Sequence, residues 1–138
     1  MKRRGIFRLA GGVSALIAVL ATAAVALATV SALTINSKGT VSPGGFFATV
    51  GGTITCPQGD NWDLDFTVRQ GGGSRAAVAT GFTTVGTCSG GADSWTGTTS
   101  LAESPNGFKA GKASVAVTAF DLTDQTDLTV DGPVNLSK

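Results

Sequence analysis

The chain has 138 residues, 42% hydrophobic and 14% charged, with 20 glycines, two cysteines and neither histidine nor tyrosine. Past residue 32 it carries six Lys and Arg against nine Asp and Glu, a net charge of −3, and its basic residues stand singly, which excludes a phosphate-binding patch and with it nucleic acid as a partner. With Glu103 as its single glutamate and no histidine, it lacks the usual general bases and most transition-metal ligands, so it is expected not to be an enzyme and to hold no cofactor.

Lys2, Arg3, Arg4 and Arg8 form a basic head, followed by an uncharged apolar run from Val13 to Val30. That order is the signature of an export signal, and small residues allow cleavage after Ala28 or Ala32. The boundary taken is a signal over residues 1–32 and one domain over 33–138, with membrane attachment only if the signal stays uncleaved. The expected location is therefore secreted or cell-envelope, outside the cell. In that setting Cys56 and Cys88 are expected to form one disulfide.

Residues 33–41 read as a broken edge strand. From Ala48 to Cys56 small and apolar residues alternate with Thr and Gly, the period-2 pattern of a half-buried strand that turns Cys56 inward. The adjacent Phe46 and Phe47 are expected to point to opposite faces, leaving one of them exposed to a partner. After a turn over 57–61, Trp62, Leu64, Phe66 and Val68 face one way, and Asp63, Asp65, Thr67 and Arg69 the other. Gly71–Gly73 and Ser74 predict a hairpin returning through residues 75–85, where Val78, Phe82 and Cys88 share the inward parity. Further strands are expected over 93–101, 113–119 and 126–136, and Pro133 marks the last as an edge strand. About seven short strands with glycine-rich turns, and no helical period past the signal, predict an all-β immunoglobulin-like antiparallel sandwich.

Gly52-Thr-Ile-Thr-Cys56, Leu64-Asp-Phe-Thr-Val-Arg-Gln70, Cys88 with Trp95, and the run from Phe108 to Val117 together resemble small secreted immunoglobulin-like domains of actinobacteria. The resemblance implies a fold and assigns no chemistry, because its motifs are strands and turns. The antibody pattern itself is not met, since Trp62 follows Cys56 by only six residues and no tyrosine is present.

Two acidic runs, Asp60-Asn61-x-Asp63-x-Asp65 and Asp121-x-x-Asp124-x-x-Asp127, place oxygen donors densely enough to suggest calcium. Neither completes a known calcium loop, so both read as solvated turn acids and no metal is assigned. Trp62 and Trp95 could stack on sugar rings if exposed, but both share parity with apolar neighbours and are expected in the core. The functional expectation is a non-enzymatic binding or structural module of unknown ligand, its partner a cell-envelope protein or polysaccharide. The alternative is a carbohydrate-binding module using Trp62 or Trp95.

Overall fold

A computed structural model describes residues 29–103, 105 and 107–138. The expected export signal falls, up to residue 28, outside the described residues.

Nine strand segments follow one another: β1 (Ala32–Leu33), β2 (Lys38–Val41), β3 (Ala48–Thr55), β4 (Asn61–Gln70), β5 (Ala77–Phe82), β6 (Gly86–Thr87), β7 (Ala92–Thr98), β8 (Gly111–Asp121) and β9 (Thr126–Ser137). Among the described residues a single 3-10 turn, Gly73–Arg75, lies in the β4–β5 hairpin. β1 and β2 both pair with β3, and β5 and β6 both pair with β4. Each of these couples is one interrupted strand, which recovers the seven strands expected from the periodicity.

The chain forms an all-β sandwich. One layer is β3 with β7 on one side and β1 and β2 on the other; the second is β9, β8 and β4, with β5 and β6 beyond β4. β2 joins the layers at one margin, pairing antiparallel with β3 and parallel with β9. The sheet is therefore mixed, with one parallel ladder in an otherwise antiparallel set. At the opposite margin the chain leaving β7 crosses to β5, where Ser100 N–H donates to Thr80 O (2.7 Å) and Glu103 N–H to Val78 O (3.0 Å). Backbone groups at both margins thus find partners, as buried peptide groups must.

Ile54, Leu64, Phe66, Val68, Val115, Val117 and Leu136 fill the space between the layers. The large rings are accommodated by glycines on neighbouring strands. Trp62 pairs across to Gly86, Phe66 to Gly81 and Trp95 to Gly52, and a Cβ at Gly86 or Gly81 would overlap the facing ring. Glycine weakens a strand by itself, but here its missing side chain is the room an aromatic ring needs.

Three local expectations are corrected. Phe82 is 78% exposed, and Ala77 and Ala79 are buried instead; the inward face of β5 is made of small residues because Phe66 already occupies the volume over Gly81. Leu101 is exposed because β7 ends at Thr98, and the following Thr99 turns inward to accept the Ala48 N–H on Oγ1 (3.1 Å). β9 is not an edge strand, since β8 and β2 flank it; Pro133 is tolerated because the β2 ladder begins only at Asn135.

Candidate functional site

Cys56 directly follows β3 and Cys88 directly follows β6. Their disulfide spans Cα atoms 5.6 Å apart, and both cysteines are buried. Between them the Pro57–Asp60 turn is clasped by backbone bonds, with Gly59 N–H donating to Cys88 O (2.9 Å) and Cys88 N–H to Asp60 O (2.8 Å). The bridge therefore anchors the turn that carries Asp60. On its other side Asp93 Oδ2 accepts the Ser89 N–H at 2.9 Å, and bonds from the Ser89 backbone and then its hydroxyl hold the Asp93 carboxyl below its ordinary pKa.

Both tryptophans lie in the core, Trp62 7% and Trp95 3% exposed. Trp95 Nε1 donates to Thr34 O at 3.2 Å, while Trp62 Nε1 is buried without a partner. Neither indole presents a face on which a sugar ring could stack. Tryptophan emission of the folded protein is expected to be blue-shifted and resistant to acrylamide; emission near that of free indole, quenched freely, would contradict this placement.

Phe46 and Phe47 are both exposed, by 57% and 38%. They do not alternate as strand residues because they precede β3, in a loop tied by Ser42. Ser42 N–H donates to Phe47 O (2.9 Å), and Ser42 Oγ accepts the Phe47 N–H (3.0 Å). Gly44 and Gly45 adopt φ of 86° and 78° in this loop, a region that side-chain-bearing residues avoid.

The two acidic runs meet. β4 pairs with β8 so that Trp62 faces Asp121, which sets the Asp60 turn beside the β8–β9 hairpin. One carboxylate oxygen from each of Asp60, Asp121 and Asp124 lies within 4.8 Å of the others. Asp121 is 1% exposed; its Oδ1 accepts the N–H groups of Thr123 (2.9 Å) and Asp124 (3.0 Å), while Oδ2 is buried with no partner. Burial first, then the charges of Asp121 and Asp124, raise the Asp60 pKa above its ordinary value. Asp63 and Asp65, of the same run, stay on the outer side of β4, as the alternation requires. The spacing within each run could not show this cluster, because it draws one member from the first run and two from the second. No family model, curated protein or solved structure matches the chain.

Proposed function

We propose that the chain is an exported, non-enzymatic β-sandwich that serves as a binding or structural module outside the cell or at its envelope. The observation that carries this reading is the buried Cys56–Cys88 disulfide, a bond that persists in oxidising compartments. The basic head and apolar run supply an export route, and the resemblance to secreted actinobacterial domains agrees with it. No helix among the described residues is long and apolar enough to cross a membrane. The non-enzymatic part rests on the residue inventory, which offers no histidine or tyrosine and a single glutamate.

We favour cleavage after Ala28 over Ala32. Val30 is 7% exposed within the core, Ser31 N–H donates to Thr55 O (2.9 Å), and Ala32 pairs with Thr55. Cleavage after Ala32 would remove all three residues, whereas cleavage after Ala28 retains them, so Ala28 is the favoured boundary. For a partner, Phe46 and Phe47 are the exposed residues offered.

The full chain expressed in its host is expected to be released as an oxidised protein beginning at Thr29. It is also expected to be retained on envelope proteins or polysaccharide in a pull-down, with retention lost in a Phe46→Ser, Phe47→Ser variant. A reduced cytoplasmic product would overturn the export reading, and equal retention of the double variant would overturn the assignment of the phenylalanines.

A further inference from the structure

Among the described residues, four buried side-chain polar atoms lack a hydrogen-bond partner: Asp60 Oδ2, Trp62 Nε1, Asp121 Oδ2 and Thr126 Oγ1. All four belong to one end of one layer. Trp62, Asp121 and Thr126 form a cross-strand row, Trp62 opposite Asp121 and Asp121 opposite Thr126, so their side chains share a face of the sheet. Asp60 precedes β4 by one residue. An orphaned buried polar atom is uncommon in a folded protein; three of these four are oxygens, Asp60 Oδ2, Asp121 Oδ2 and Thr126 Oγ1, which a cation could satisfy, whereas the Trp62 N–H could not.

We propose that Asp60, Asp121 and Asp124 bind a hard divalent cation of the calcium class, with the Thr126 hydroxyl as a further oxygen donor. The donors are all oxygen, three of them carboxylates, which is the ligand set of calcium rather than of zinc or copper. Calcium–oxygen distances of about 2.3–2.6 Å allow two ligands of one ion to stand up to about 5 Å apart, and the three carboxylate oxygens lie within 4.8 Å of one another. The buried Asp121 carboxylate is already oriented, since its Oδ1 is bonded to the Thr123 and Asp124 N–H groups, which leaves Oδ2 for the ion. Asp121 and Thr126 also line a surface cleft of about 620 Å³.

The ion would neutralise three clustered negative charges and join the β4 turn to the β8–β9 hairpin. Extracellular calcium modules bind at about 10⁻⁴–10⁻³ M.

The test uses the full chain, expressed with its own leader, purified and stripped with a chelator. Calcium at about ten times its dissociation constant is expected to raise the melting temperature by roughly 5–10 °C. Terbium is expected to give emission excited through Trp62 and displaced by calcium. Asp124→Asn should weaken calcium binding about tenfold or more by removing a charged ligand, and Asp121→Asn, whose carboxamide oxygen can still accept the two backbone bonds, should abolish it. Trp62→Phe should lose terbium emission and keep the calcium-dependent melting shift, and Asp131→Asn should change neither readout. An unchanged melting temperature in millimolar calcium at neutral pH would overturn the proposal. So would a full response in both Asp121→Asn and Asp124→Asn, which would place the ion elsewhere.

Discussion

Replacing both cysteines, Cys56→Ala with Cys88→Ala, is expected to lower the unfolding free energy by about 3–4 kcal/mol. The bridge closes a segment 32 residues apart in sequence, and the loop-closure entropy it removes from the unfolded chain grows with that length. In a domain of this size the loss corresponds to a fall of roughly 15 °C in melting temperature, a large part of a net stability of about 5–15 kcal/mol. The native side contributes as well. Cys88 N–H and O hold Asp60 O and Gly59 N–H, so the variant should also loosen the turn that presents Asp60. Denaturant unfolding of oxidised wild type against the double variant measures the difference, and amide exchange at Gly59 and Cys88 reports the turn. A difference below about 1 kcal/mol would mean that the turn and the core hold this end without the bond.

Phe66→Ala is expected to cost about 3–5 kcal/mol, the range for truncating a buried aromatic ring. Phe66 is 2% exposed, and its ring centroid lies 6.0 Å from that of Trp95 at an interplanar angle of 42°. It connects the two layers: the ring projects from β4 towards Gly97 of β7, where a Cβ would stand 2.7 Å from Phe66 Cζ, and towards Gly81 of β5. The same contact makes Gly97→Ala destabilising by about 1–3 kcal/mol through overpacking. The two positions share one volume, so their effects should not add. In a Phe66→Leu background the cost of Gly97→Ala should shrink by about 0.5 kcal/mol or more, a coupling that a double-mutant cycle resolves. Strict additivity would show that the ring does not rest on Gly97.

The periodicity of β4 and β8 was legible because each has one face on the core and one on water, and in β3 the outer residues Thr49, Thr53 and Thr55 are half-buried against a buried inner row. Cys56, Trp62, Leu64, Phe66 and Val68 are all buried as the alternation requires. The Gly71–Gly73 hairpin was legible from composition. The inward face of β5 was not, since Ala77, Ala79 and Gly81 look less core-like than Val78 and Phe82. Hydrophobicity along a strand ranks residues by their own size, whereas the space available to β5 is set by Phe66 on the strand beside it. Phe46 and Phe47 were misplaced for a related reason: alternation holds only within a strand, and both lie in the loop that Ser42 ties to Phe47 before β3 begins at Ala48.

By itself the sequence determined that this chain builds a single all-β sandwich with a disulfide, because strand alternation, turn residues and paired cysteines act over short distances that a linear reading captures. Only the tertiary structure decided where its chemistry gathers. Asp60 and Asp121 lie far apart along the chain, and neither acidic run has a ligand loop of its own. The antiparallel ladder that sets Trp62 opposite Asp121 brings the carboxylates together, Asp121 buried and Asp60 and Asp124 half-buried. Its register comes from the packing of Leu64, Phe66 and Val68 against Ala119, Val117 and Val115, since a slip of one residue would turn that whole apolar set towards water.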